Sequence, residues 1–406
     1  MAPLRLEDVQ AARDRFDDES VVRETPLESN RSLSGMADAT VYLKMEHLQR
    51  TGSFKTRGAY NKLVQVAERG DVERVVAASA GNHAQGVALA ATKTGLESTI
   101  VMPRYAPQAK VNATRSYGGD VELEGADFRE AMAYARTLTD DPNVGFVHAY
   151  DDPDIAAGQG TLGLEIYDAL PAVDTVIVPI GGGGLIGGIA TALKALDPEI
   201  RIVGVQAASA ATVPDSLDKG IPQSIDDAET IADGIATGGI SELTFGLIQE
   251  HVDDVVTVSD DQIAQSTLIL LERAKQLVEG AGAASVAALL SDDLDVSGET
   301  VVPVLGGGNI DIAMLQTVLE HALTDRDQLL RLRVRIADQP GKMEEISGVI
   351  SDHGANIRTV RHDRAVDDLR VGEAYLVFQV VTSGQEHARN VIDSIESRGY
   401  DVTRVH

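Results

Sequence analysis

The sequence predicts an α/β protein built on parallel sheets, followed by a smaller module of alternating strands and helices. Three observations carry this expectation. Short apolar runs alternate with segments of helical periodicity from about residue 40 to 310. Several of these runs end in glycine-rich turns that open into a helix. Beyond about residue 320 the rhythm changes to two strands for each helix. Strands alternating with helices imply a parallel sheet covered on both faces, with ligands beyond the carboxyl ends of the strands.

Taken in order, the strand runs are TVYLKM (40–45), RVVAAS (74–79), STIVMP (98–103), DVELEG (120–125) and GFVHAY (145–150). DTVIVPI (174–180), IRIVGVQ (200–206), DVVTVS (254–259) and TVVPVLGGG (300–308) complete the set. Between them, stretches such as GNHAQGVALAATKTG and DFREAMAYARTL place apolar residues at helical spacing. HALTDRDQLLR is polar and reads as a linker, placed at 321–330. After it, LLRLRVRIAD, ANIRTVRHDRA, VGEAYLVFQVVTS and DVTRV read as strands. KMEEISGVISDHG and GQEHARNVIDSIESRGY read as helices. The resulting β-α-β-β-α-β order over 331–406 is that of a ferredoxin-like unit.

Bulk composition narrows the functional classes. The 406-residue chain is long enough for more than one domain. It contains no cysteine, so disulfide and thiolate chemistry are excluded. No apolar run reaches membrane-spanning length, and no basic-then-apolar leader opens the chain, so a cytoplasmic protein is expected. The formal charge of −28 repels nucleic acid and anionic membranes. The acid is spread along the chain as DDES, DDPD and SDDLD, which suits a protein kept soluble at high salt.

The chemistry concentrates in five stretches. TGSFKTRGAY (51–60) sets Lys55 after an aromatic residue, in a turn of small residues leading into a helix. DTVIVPIGGGGLIGGIATALKAL (174–196) reads as strand, four glycines and helix. The backbone N–H groups of such a turn, with the positive helix end behind them, hold a phosphate without a basic side chain. GGGLIG matches a dinucleotide fingerprint formally, but the next strand ends at Gln206 with no carboxylate for a ribose. No Walker lysine follows the loop, so a small monophosphate is expected. SAGNHAQG (79–86) is a second strand-to-helix turn whose amides can hold a carboxylate, while Asn82 can bond a ring oxygen. His83 has no second ligand at metal spacing and reads as structural. VEGAGAAS (278–285) puts Glu279 at a helix start, and PVLGGGN (303–309) is a third glycine-rich strand end. A lysine, a monophosphate cup, a carboxylate cup and partners for a planar ring are the requirements of pyridoxal 5′-phosphate acting on an amino acid.

These five stretches, in this order over about residues 5–320, resemble the second fold type of pyridoxal-phosphate enzymes, in particular the threonine dehydratases. The tail resembles an ACT domain, with DQPGK close to the D-x-P-G turn of that module. The resemblance implies a catalytic domain over 1–320 made of two open parallel-sheet subdomains, the smaller at about 50–150, and a regulatory domain over 331–406. It implies that Lys55 joins the cofactor covalently and acts as the catalytic base, with Phe54 packed beside it. Asn82 would bond the ring hydroxyl, and Glu279 and Gly306 would line the ring. Gly181, Gly182, Gly183, Gly184 and Leu185 would hold the phosphate. Ser79, Ala80, Gly81, Asn82 and His83 would receive the substrate carboxylate.

The implied reaction is β-elimination from L-threonine to 2-oxobutanoate and ammonia, and from L-serine to pyruvate. An amino-acid effector, isoleucine or valine, would bind near Pro340, Gly341, Lys342 and Asn356. A homodimer or homotetramer is implied. The alternatives are an L-serine dehydratase or racemase-like enzyme, and a catalytically dead amino-acid sensor. Three departures from the family pattern stand out. Gly306 takes the place of a serine that contacts the pyridine nitrogen. Ala80 takes the place of a serine in the racemases, which favours elimination. QAASAAT (206–212) offers no carboxylate for a divalent ion, so no metal is expected there.

Overall fold

The computed structural model describes residues 4–16, 18–226 and 228–405. They form two compact units, Met1–Asp311 and Ile312–His406.

The first unit contains two sheets. Its strands are β1 (Leu27–Ser29), β2 (Thr40–Lys44), β3 (Arg74–Ala78), β4 (Glu97–Met102), β5 (Asp120–Leu123) and β6 (Val144–Phe146). They continue with β7 (Thr175–Pro179), β8 (Arg201–Ala207), β9 (Asp254–Val258) and β10 (Thr300–Pro303). The larger sheet runs β1-β2-β10-β7-β8-β9 and the smaller β5-β4-β3-β6. All pairings are parallel except the antiparallel edge pair β1–β2. The central strand β7 is buried at every position, as a strand covered on both faces must be. Val and Ile supply it because β-branched side chains pack well on a pleated, two-sided surface.

The second unit begins with the helix Ile312–Asp325 and continues with β11 (Leu329–Ala337), β12 (Asn356–Asp363), β13 (Glu373–Val381) and β14 (Asp401–Arg404). Its antiparallel sheet is ordered β12-β13-β11-β14. In β11, Leu330, Leu332, Val334 and Ile336 alternate with arginines. The apolar set packs against Ile346, Val349 and Ile350 of the helix Lys342–Asp352 and against Val391 and Ile395 of the helix Gln385–Glu396. A period of two over nine residues thus gives β11 one helix-covered face.

Three segments differ from the sequence expectation. GFVHAY pairs only as far as Phe146. The His148 Nδ1 atom accepts the backbone N–H of Asp151 at 2.8 Å and of Tyr150 at 3.3 Å, turning the chain away from the sheet. The expected linker at 321–330 is helical to Asp325 and joins β11 at Leu329. Its polar residues lie on a helix that buries Val318 and Ala322, a stripe too narrow to read as amphipathic. The edge strand β1 was not anticipated, because three residues are too few to show alternation.

Candidate active site

A cavity of ≈ 390 Å³ opens beyond the carboxyl ends of the strands in the first unit. That is within the range of small-molecule sites, about 300–1,000 Å³. Lys55 enters it from the first turn of the helix Lys55–Arg69. The Lys55 Nζ donates to the Ala149 carbonyl at 3.0 Å and lies 5.1 Å from the Phe54 ring centroid. Burial pushes the pKa of the amine down to about 8, against a partial upward pull from Glu279. The shift raises the uncharged fraction near neutral pH, which a nucleophile or base at this position requires.

Facing it is a chain of amides and a carboxylate. Asn82 Nδ2 donates to Glu279 Oε1 at 2.7 Å, and Asn309 Nδ2 donates to Asn82 Oδ1 at 2.7 Å and to the Thr51 carbonyl at 2.7 Å. Burial, with the nearby Asp233 charge, pushes Glu279 up to about 7 despite the bond from Asn82. Its carboxyl therefore changes charge in the range where the Lys55 amine does.

The turn at 181–184 is built from glycines for steric reasons. Gly183 has φ +88°, a left-handed conformation that strains other residues. A Cβ on Gly182 would lie 2.1 Å from Tyr150 Cδ1. The turn leads directly into the helix Gly184–Leu196, so its amides and the helix end point to one place. Leu185 lines the cavity beside it.

Ser79, Ala80, Gly81, Asn82 and His83 lie on the cavity wall where β3 passes into the helix Asn82–Thr94. Ser79 Oγ accepts the Gly81 N–H at 3.1 Å. His83 is buried, its Nε2 is 3.1 Å from the Val147 carbonyl, and burial with the nearby Lys55 holds its pKa down at about 3. It is a neutral packing residue. Gly306 also lines the cavity, and Gly307 follows it in a tighter setting. A Cβ on Gly306 would make only ordinary contacts, 3.5 Å to Phe54 Cδ1 and 3.7 Å to Pro179 Cγ, whereas one on Gly307 would sit 2.2 Å from Glu279 Oε1.

All of the expected cofactor and carboxylate residues thus converge on one cavity, while Pro340, Gly341, Lys342 and Asn356 lie in the second unit. Gln206, the position that lacked a ribose carboxylate, accepts the N–H groups of Thr212 and Val213 at 3.0 and 2.8 Å and so orders the next helix. Sequence reasoning missed His148, Tyr150, Asn309, Phe128, Met132, Lys110 and Asp233, which also line the cavity. Lys110 and Asp233 face each other at 3.2 Å. Among these, Asn309 had a signal, since it closes a glycine run at a strand end.

The residues present fit pyridoxal phosphate: an amine of lowered pKa, a glycine cradle that side chains would fill, and the hydrogen-bonding groups Asn82, Glu279 and Asn309 in the same cavity. Among the described residues, no group of three or more His, Cys, Asp or Glu is placed to hold a metal ion, and no helix is long and apolar enough to cross a membrane.

Comparison with known proteins agrees. The family model described as "Pyridoxal-phosphate dependent enzyme" matches residues 19–307. An L-threonine ammonia-lyase of Thermotoga maritima is 42% identical, covering 98% of this chain and 99% of the relative. A catabolic L-threonine dehydratase of Staphylococcus aureus is 44% identical over 310 residues, 75% of this chain and 90% of the relative. The solved structure of processed threonine deaminase isoform 2 from Solanum lycopersicum covers 79% of this chain and 95% of its own, with 36% identity and a TM-score of 0.74. The chain belongs to the pyridoxal-phosphate dependent enzymes, and pyridoxal phosphate is its cofactor.

Proposed function

We propose that the protein is a threonine ammonia-lyase, converting L-threonine to 2-oxobutanoate and ammonia and L-serine to pyruvate. One observation carries the reading: a lysine amine of lowered pKa shares a cavity with a glycine phosphate cradle and a carboxylate-binding turn, in a chain similar along almost its whole length to a threonine ammonia-lyase.

Pyridoxal phosphate, when bound, supplies the electron sink that makes loss of the substrate Cα proton feasible. The remaining steps belong to the chain. The amides around residues 79–83 would orient the substrate carboxylate, and those of 181–185 would hold the cofactor phosphate. Lys55 would hold the cofactor and, as an uncharged amine, would take the Cα proton. Asn82 and Glu279, bonded to each other at 2.7 Å, would orient the ring. Phe128 and Met132 give the cavity an apolar wall beside these polar groups. Position 80 is alanine, so the residue directly before Gly81 and Asn82 offers no hydroxyl for returning a proton, and the neighbouring Ser79 Oγ accepts the Gly81 N–H, which favours elimination over racemisation.

Residues 312–406 are proposed as an amino-acid-responsive unit, with isoleucine or valine as effector. Gly341, at φ +90°, turns the chain into the helix Lys342–Asp352, where Lys342 Nζ bonds Glu345 at 3.0 Å and the Tyr400 hydroxyl at 2.9 Å. A homodimer or homotetramer is part of the proposal.

Turnover of L-threonine and L-serine tests the reading, followed by borohydride reduction and peptide mapping. Release of 2-oxobutanoate with an adduct on Lys55 is the expected result, and an unmodified Lys55 in active protein refutes it. Equal kcat/KM for the two substrates removes a preference for threonine, which rests on one methyl group worth about 1–3 kcal/mol of discrimination. Unchanged activity and melting across an isoleucine and valine titration removes the regulatory part.

A further inference from the structure

Two residues beyond Lys55, the same helix carries a charge that the chemistry above does not use. Arg57 is completely buried, as is Glu46, while Lys44 is 1% and Glu165 13% exposed. Arg57 grips Glu46 with Nε to Oε2 and Nη2 to Oε1, both at 2.8 Å. Its other edge grips Glu165, with Nη1 to Oε1 at 2.5 Å and Nη2 to Oε2 at 3.0 Å. Nη1 also donates to Thr161 Oγ1 at 3.1 Å, and Nη2 to the Arg23 carbonyl at 3.3 Å. Lys44 closes the ring, donating to Glu165 Oε2 at 2.5 Å and to the Thr25 carbonyl at 2.8 Å.

We propose that Arg57 is a positioning residue for Lys55: with Glu46, Glu165 and Lys44 it forms a buried, charge-balanced quartet that fixes the first turn of the helix while adding no net charge beside the reactive amine. Burying four ionised groups is costly, and an apolar cluster of equal volume often stabilises as well. What an apolar cluster lacks is direction. A guanidinium held on both edges has one orientation, and this one ties the Lys55 helix to Glu46 in the turn after β2, to the Arg23 carbonyl and to the helix Pro153–Ala169, which Lys44 in turn joins to β2 through Glu165. Balance is the second requirement. Two positive and two negative groups sum to zero, and the one charge that acts on Lys55 is Glu279. His83, on the helix Asn82–Thr94, and His148, after β6, also interact with the amine, and Tyr150, Lys110 and Asp233 line the same cavity.

The test uses the sign of charge, which a purely structural role does not sense. The pH midpoint of the Lys55 amine is read by competitive labelling and peptide mass analysis of the full-length chain before cofactor is added. Glu46→Gln leaves the quartet at +1 and lowers the midpoint by roughly one unit, for charges on the order of 10 Å apart. Lys44→Met leaves it at −1 and raises the midpoint by a similar amount. The double variant K44M/E46Q, again neutral, returns to the parent value. If E46Q does not fold, K44M and the double variant carry the same test. Arg57→Lys keeps the charge but loses the fork, so the midpoint stays while covalent uptake of pyridoxal phosphate, followed by visible absorbance, slows at least about tenfold. Shifts of the same sign in E46Q and K44M, no shift in either, or R57K uptake within about twofold of the parent overturns the proposal. It rests on Lys55 as the reactive amine. Absence of cofactor on Lys55 in the parent defeats that reading, whereas labelling midpoints decide the quartet separately.

Discussion

Lys55 combines two properties that oppose each other. Its amine must be uncharged to react, and the burial that lowers its pKa also costs folding free energy. The native pKa of about 8 lies below the ordinary 10.5, so the folded chain binds this proton less readily than the unfolded one. The penalty is absent above pH 10.5, grows as pH falls to 8 and is constant below. Lys55→Met should therefore abolish turnover yet stabilise the cofactor-free chain by about 2 kcal/mol at pH 7, after allowing for solvent at the cavity mouth. The gain should shrink between pH 8 and 10, which urea unfolding at several pH values measures. Neighbouring glycines give a second contrast. Gly307→Ala places a methyl group against Glu279 and should cost about 1–3 kcal/mol, with weaker cofactor binding. Gly306→Ala meets only ordinary contacts and should cost less than about 1 kcal/mol.

At the scale of elements, the legibility of the site follows from how local each signal is. Lys55, the turn at 181–184 and the turn at 79–83 sit where an apolar run meets small residues, and that junction is visible in a few consecutive letters. The quartet is not local: its members come from β2, the turn after it and two helices. A trace was present even so, since Lys44 ends an apolar strand and Glu165 is the single charge in the helical run AAGQGTLGLEI. His148 and Tyr150 were hidden because GFVHAY scores as strand throughout, and only the bonds to His148 bend it. The contact between the helices Lys55–Arg69 and Pro153–Ala169 is also made by glycines. A Cβ on Gly158 would lie 2.6 Å from the Arg57 carbonyl, and one on Gly58 would lie 2.6 Å from the Ile155 carbonyl. Gly158→Ala should push the helices apart, destabilise by about 1–3 kcal/mol and lower kcat as Lys55 shifts. Unchanged kcat with lowered stability would separate packing from alignment.

Across the whole molecule, charge is distributed unevenly. Residues 312–406 carry 12 Lys and Arg against 15 Asp and Glu, a net −3, leaving 23 against 48, a net −25, for residues 1–311. Self-repulsion of that size is relieved when the screening length falls from about 10 Å at 0.1 M salt to about 3 Å at 1 M. The melting temperature of the first unit should rise across that range in KCl, while that of the second changes little. Calorimetry of the full chain and of each unit checks this, and equal salt response in both would refute it.

The seam between Asp311 and Ile312 has a consequence for what the chain can shed. It falls just before a helix, after the strand-end turn that completes the catalytic cavity, so every residue of that cavity lies on one side of it. The chain can therefore lose or exchange everything beyond Asp311 and still keep each side chain that lines the cavity.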